Sequence, residues 1–355
     1  MARTRIGLDI GATGVRAAEL SMRSIPPSLV RVAQAPMPEG AFSAGEVKDP
    51  AAVADALREL WHRGKFRSRD VILGIANQRV VVREVSVPWL AEKELRESLP
   101  YQVQESVPIP LEDAVLDFHI LEEFEREGNR MLRLLLVVAQ KQMIQQIVEA
   151  VEAAKLHPIG LDLTPFAIVR SVGSIEGNEQ GDSVSGDEAI VDIGSEVTSI
   201  CVHAWGVPRF VRILPSGGKD ITAAVARAMG VDEGEAERLK RGSDSWTEQE
   251  RETSGGAVQV AINRAGTFAD EIRSSLDFYL TQMPGARVAR ILLTGGGSKL
   301  PGLLDMLSER LSADVEQGRP FHRVQEALDL SPETAREAEP LLAVAVGLAL
   351  PGVRG

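Results

Sequence analysis

Two copies of one short pattern, far apart in the chain, predict a two-lobed α/β protein whose similar halves face a common cleft. The first copy is Arg5-Ile6-Gly7-Leu8-Asp9-Ile10-Gly11-Ala12-Thr13, and the second is Glu188-Ala189-Ile190-Val191-Asp192-Ile193-Gly194-Ser195. Each reads as a buried strand ending in Asp-Ile-Gly, a small or hydroxyl-bearing turn, and a return strand. A third observation is Ile291-Leu292-Leu293-Thr294-Gly295-Gly296-Gly297, an apolar strand running into three consecutive glycines. A chain of 355 residues also exceeds what one hydrophobic core usually serves.

The elements follow in order. Apolar-rich runs at 5–10, 15–20 and 29–35 read as strands, with Gly11-Ala12-Thr13-Gly14 as a hairpin turn. Asp49-Pro50 opens a helix to about residue 63, and 71–75 returns to strand. Residues 78–157 form a section with its own order: strand 80–87, a helical stretch 91–106 that Pro100 must kink or restart, strands 115–122 and 131–139, and a closing helix 140–155. Residues 173–187 and 242–256 are polar and glycine-rich and read as loops without chemistry. Strands at 189–193, 197–203 and 208–214, a helix from Lys219, a long helix 257–282 and a buried strand 290–293 complete the second half.

The net charge of −12 argues against a general affinity for nucleic acid or anionic lipid, and no nucleic-acid partner is expected. The single cysteine, Cys201, lies in an apolar strand and reads as a packing residue in a reducing compartment. The N-terminus lacks the apolar core of a signal peptide, and the longest apolar stretches, 134–139 and 341–350, fall short of the roughly 20 residues that span a bilayer.

A triphosphate with its metal needs backbone N–H groups aimed at oxygens, small side chains for close approach, and carboxylates for the ion. Gly11, Gly14 and Gly194 permit the approach, and Thr13, Ser195 and Thr198 offer hydroxyls. Asp9 and Asp192, at strand ends, are placed to hold magnesium through its waters. Gly295, Gly296 and Gly297 remove side chains where a base or phosphate must lie against backbone. No GxxxxGK[ST] loop occurs, and the triple glycine has the wrong spacing for a dinucleotide fingerprint.

The order of these three loops resembles the actin, sugar kinase and seventy-kilodalton chaperone superfamily. Residues 9–14 resemble its first phosphate loop, 192–198 its second, and 294–297 its adenosine loop; 155–172 and 339–350 resemble its two connecting helices. Pro215-Ser216-Gly217-Gly218 is similar to the second-lobe segment near the nucleotide, and Ala236-Glu237-Arg238-Leu239-Lys240 to an adenosine-side helix in which Glu237 and Lys240 meet ribose and base. A solvated helix face is the alternative for those two residues. The inserted section, and the run Leu99-Pro100-Tyr101-Gln102 onward to Pro108-Ile109-Pro110-Leu111-Glu112, narrow the resemblance to the type IV pilus assembly protein PilM family, related to the division protein FtsA. The chain ends soon after Leu350 without the amphipathic tail of division proteins, which favours the pilus family.

The resemblance implies an actin-like fold of duplicated ribonuclease H-like lobes. The first lobe takes residues 1–78, 158–187 and 335–355; the inserted strand-helix-strand-strand module takes 79–157; the second lobe, with a smaller helical subdomain, takes 188–334. It implies ATP and Mg2+ as cofactors, and the cytoplasmic N-terminal peptide of a bitopic, PilN-type inner-membrane protein as partner. That peptide would lie where the module meets the first lobe, with strand 80–87 and the turn 108–111 as groove walls, or else these simply pack as core. Localisation would be cytoplasmic and peripheral to the inner membrane through partners, with self-association left open. Thr164 stands where hydrolytic relatives place a carboxylate or amide near the attacking water. A hydroxyl is a poor general base at neutral pH, so among Asp9, Asp192 and Thr164 the catalytic expectation is slow or partner-dependent hydrolysis. An FtsA-like division role and a small-molecule kinase of the same fold remain the alternatives.

Overall fold

The computed structural model describes residues 4–174, 186–242, 248–283, 285–328 and 330–352. In the first half, β1 (Thr4–Ile10) turns into β2 (Gly14–Ser21), which pairs with β3 (Ser28–Pro36). Two short strands, β4 (Phe42–Ser43) and β5 (Glu46–Val47), precede α1 (Pro50–Gly64) and β6 (Asp70–Ile75). Helix α1 begins where the sequence places it. The Asp49 carboxylate accepts the Ala51 and Ala52 amides, and Pro50 sits in the first turn, where its missing N–H has no helical partner to lose.

The inserted section contains β7 (Val81–Pro88), α2 (Glu92–Gln102), β8 (Ala114–Arg126) and β9 (Asn129–Gln140), with strand order β7-β9-β8. Val87, Leu95, Leu99, Val103, Leu132, Leu134, Leu136 and Val138 form its core. Helix α2 runs through Pro100 and ends two residues later, followed by a single 3-10 turn at Gln104–Ser106. A proline that late in a helix ends it rather than splitting it. The strand pair β8–β9 closes on Glu127-Gly128, both at positive φ, a two-residue hairpin turn.

Next come α3 (Lys141–Ala153), β10 (His157–Leu163) and α4 (Thr164–Val172). The buried face of α3, with Met143, Ile147, Ala150 and Val151, packs into the core of the first half and against α1. The reading of 155–172 as one connecting helix needs correction. Residues 157–163 are a strand paired parallel with β6, with a register shift between Pro158 and Gly160, and the helix is α4 alone.

The second half comprises β11 (Asp187–Ile193), β12 (Thr198–Ala204), β13 (Val207–Leu214), α5 (Gly218–Met229), α6 (Glu233–Arg241), α7 (Glu248–Gln282), β14 (Val288–Thr294), α8 (Leu303–Leu311) and β15 (Asp314–Gln317). The chain then returns through β16 (Gln325–Glu326) to the first sheet and ends in α9 (Pro332–Ala349). Of the two expected loops, 175–185 and 243–247 lie outside the described residues. Residues 248–256 belong to α7, where the buried Ser254 donates to Leu239 O and holds the helix on α6 despite Gly255-Gly256.

The main sheets have orders β10-β6-β1-β2-β3-β16 and β13-β12-β11-β14-β15. Their wiring is the same: an antiparallel meander of three strands, then strands added parallel to the first. Helices α4 and α9 cross between them and, with Ile190, Cys201 and Leu292 of the second sheet, form one buried cluster. Burial pushes the Cys201 thiol far above its usual range, as expected of an inert packing residue. Among the described residues no helix is long and apolar enough to cross a membrane.

Candidate functional site

The two Asp-Ile-Gly turns adopt one geometry. Gly11 N–H donates to Gly14 O at 3.0 Å, and Gly194 N–H donates to Val197 O at 3.0 Å. Cross-strand registers place Asp9 opposite Arg16 and Asp192 opposite Ser199. Thr13 is exposed at the tip of the first turn, and Ser195 is half-buried in the second. The N-terminus of α5 packs onto the second turn, with Gly218 N–H donating to Gly194 O and Lys219 N–H to Ser195 O. A Cβ on Gly217 would lie 2.5 Å from Gly194 O, so this approach requires glycine.

Both carboxylates are shifted upward by burial, and Asp192 also by the Asp9 charge. Burial raises the pKa of Asp9, opposed by Arg16. Asp192 is pushed up to about 6: burial raises it most, the Thr294 hydroxyl opposes at 2.8 Å, and the Asp9 charge raises it further. Two half-buried carboxylates facing one region favour a cation between them. Among the described residues no three His, Cys, Asp or Glu side chains form a metal cluster. Asp9 and Asp192 supply two oxygen donors, fewer than a fully protein-ligated ion takes.

The remaining expected residues distribute as follows. Thr164 is buried at the first position of α4, its Oγ1 3.1 Å from where a Gly74 Cβ would stand, beside the strand ends that carry Asp9 and Leu163. The Thr198 hydroxyl donates to Ser216 O at 2.9 Å, so it fastens the Pro215–Gly218 segment to the second turn. Lys240 is buried, not on a solvated face. Its Nζ reaches Thr222 Oγ1 at 2.7 Å and contacts Glu237, whose carboxylate takes the Thr222 hydroxyl at 2.5 Å. Gly218 O lies 3.4 Å from the same ammonium. At the triple glycine, Gly295 has φ +80° and its Cβ would lie 2.5 Å from Ile193 O; a Gly297 Cβ would strike the Ile193 side chain. These two glycines thus bring the third loop against the second Asp-Ile-Gly, whereas a Cβ on Gly296 would meet only Leu341, at an ordinary 3.5 Å.

Arg16 is the site residue that the sequence reading missed. Its Nη1 is 3.5 Å from Asp9 Oδ2, and its guanidinium lies within 4 Å of the Cβ positions of Gly11 and Gly14. Its buried Nε has no hydrogen-bond partner, an orphaned donor above the first turn. The signal was the hairpin register: a four-residue turn after Ile10 sets residue 16 opposite residue 9. A cavity of about 710 Å3 opens on the outer side of the third loop, lined by Lys299, Gln317, Arg336 and Pro340 among others, and does not include the Asp-Ile-Gly residues.

A family model described as type IV pilus assembly protein PilM matches residues 7–353. The chain belongs to that family. The solved PilM–PilN type IV pilus biogenesis complex contains a chain that is 31% identical, with a TM-score of 0.85 and coverage of 99% of both chains. The division protein FtsA of Bacillus subtilis (strain 168) is 22% identical over 360 residues, covering 89% of this chain and 78% of that protein. MreB5 of Spiroplasma citri bound to AMPPNP is 12% identical, with a TM-score of 0.50 and coverage of 98% and 95%. The family's fold is the actin-like α/β architecture described above.

Proposed function

We propose that this protein is an ATP-binding scaffold of the type IV pilus inner-membrane assembly complex that docks the cytoplasmic N-terminal tail of a PilN-type partner. The whole-chain likeness to PilM of the PilM–PilN complex carries the reading. The converging turns support the nucleotide part. Gly11, Thr13, Gly14 and Arg16 would face the phosphates from the first lobe, and Gly194, Ser195, Gly217 and Gly218 from the second. Gly295, Gly296, Gly297, Glu237 and Lys240 would frame the nucleoside side, and Asp9 and Asp192 would hold hydrated Mg2+. Bound ATP–Mg2+ would supply the charge that offsets Arg16 and the ion that offsets the two carboxylates. With Thr164 in place of a basic group, turnover would be slow, and the nucleotide would act by stabilising one lobe arrangement.

The domain division proposed is two lobes around this cleft, with the β7-β9-β8 sheet and α2 as the module and α3 counted with the first lobe, because its apolar face packs there. Association with the inner membrane would come through the partner. Calorimetry of the full chain with ATP–Mg2+, and separately with a synthetic PilN-type tail peptide, tests the proposal. We expect saturable binding of both, and loss of ATP–Mg2+ binding in Asp9→Asn; failure of both ligands to bind the wild type would sink it.

A further inference from the structure

We propose that Glu196 is a positioning residue that links the second Asp-Ile-Gly turn to the root of the inserted module. The inference rests on the nucleotide and tail-docking reading above and names how the two sites communicate. Glu196 sits in the second turn, yet its Oε2 accepts the Ser43 hydroxyl at 2.6 Å and the Ala44 N–H at 2.9 Å, both from the first half. Its Oε1 takes the Lys219 ammonium at 3.1 Å from the start of α5. One carboxylate thus joins both halves at the tip of a loop expected to touch phosphate.

The first-half end of this link is held by a chain of hydrogen bonds. Ala44 and Gly45 both have positive φ and form the two-residue turn between β4 and β5. Ala44 O accepts Asn77 Nδ2 at 2.7 Å, so the turn is held between Glu196 and a fully buried asparagine. Asn77 Oδ1 in turn accepts Arg79 N–H at 2.7 Å, and Arg79 reaches Glu46 at 3.1 Å and Gln140 Oε1 at 3.2 Å. Arg79 precedes β7 and Gln140 ends β9, so both chain crossings into the module meet here. A shift of the second turn by the length of one hydrogen bond cannot leave both Ser43 and Ala44 bonded. The turn, the β4–β5 tip and the module root therefore move as one body or separate at Glu196. Coupling of this kind needs a two-state contact whose equilibrium both sites bias.

Hydrogen exchange on the full chain, with wild type, Glu196→Ala and Glu196→Gln, tests the link. In Glu196→Ala the amides of 44–47 and 77–81 should exchange about tenfold faster, with Glu196→Gln intermediate because it keeps an acceptor oxygen. In parallel, tail-peptide affinity is measured with and without ATP–Mg2+. With ATP–Mg2+ at saturating concentration for each variant, the wild-type ratio should differ from one and collapse to one in Glu196→Ala; a wild-type ratio of one also overturns the link. Unchanged exchange at 44–47 and 77–81, or a ratio preserved in Glu196→Ala, overturns the link. If ATP–Mg2+ does not bind the wild type, the nucleotide reading falls and the exchange comparison alone decides whether Glu196 holds the module root.

Discussion

At Asp192, burial and a like-charged neighbour act against the ionised form. A carboxyl whose folded pKa is raised binds its proton more tightly in the native state than in the unfolded one. Stability is therefore fully present below the ordinary value of 3.8 and is lost as pH rises through about 6. At neutral pH the ligand-free protein carries that cost, which a bound cation would relieve. Asp192→Asn should raise the ligand-free unfolding free energy at pH 7.5 by about 1–2 kcal/mol, vanish as an advantage near pH 4, and lose ATP–Mg2+ binding. Equal destabilisation at both pH values in urea titrations would rule out the charge argument. The equivalent placement of Asp9 and Asp192 before matching turns was legible in the sequence because Asp-Ile-Gly at a strand end occurs twice. Arg16 was not, since its place above the glycines depends on strand register. The hydroxyl of Thr198 and the ammonium of Lys240 have the expected chemistry, but their present partners, Ser216 O and Thr222, are set by tertiary packing.

Among the elements, the strands around the two turns were readable from apolar runs, and α1 from its Asp-Pro start. The connecting helices were harder. Residues 157–163 carry Ile159 and Leu161 outward on an edge strand, and only pairing with β6 separates them from a helix start. The early turns of α7 read as loop because Gly255-Gly256 weighs against helix locally, while the buried Ser254 and Ala257 hold the segment on its neighbours. The two kinds of glycine give opposite predictions. A Cβ on Gly347 of α9 would lie 1.9 Å from Ala167 O in α4, so Gly347→Ala should force the helices apart and cost about 1–3 kcal/mol. A methyl group at Gly255 would meet nothing within 4 Å, and Gly255→Ala should stabilise α7 by roughly 0.5–1 kcal/mol. Denaturant midpoints of the two variants moving in the same direction would contradict this account of the packing.

For the whole molecule, the question is which contacts tie two similar halves together. Apolar packing of α4 and α9 against the second sheet is one part, the Glu196 contact is another, and a buried charged network is a third. Glu188 on β11 is almost fully buried, with Arg290 Nε 2.5 Å from Oε1, the Ser174 amide 2.7 Å from Oε2, and His203 Nε2 3.3 Å from Oε2. Gly206 N–H donates to His203 Nδ1, and the buried Nε2, 3.3 Å from the carboxylate, makes no hydrogen bond of good geometry. Burial alone would push Glu188 up, but His203, the Ser174 amide and Arg290 outweigh it and hold the carboxyl at about 2. The depressed value means that its contribution is present above the ordinary 4.5 and is lost as pH falls from there through about 2. Ser174 directly follows α4 and its Gly173 C-cap, so protonating Glu188 releases the end of a connecting helix from the second sheet while leaving each half's own core intact. The same release follows from Glu188→Gln, which also leaves Arg290 without its closest carboxylate. Calorimetric scans should show one transition for the wild type at pH 7, and two when the pH is lowered to about 2 or when Glu188→Gln is introduced at pH 7. A single transition in Glu188→Gln at neutral pH would place the coupling between the halves in the apolar helix crossing and the Glu196 contact instead.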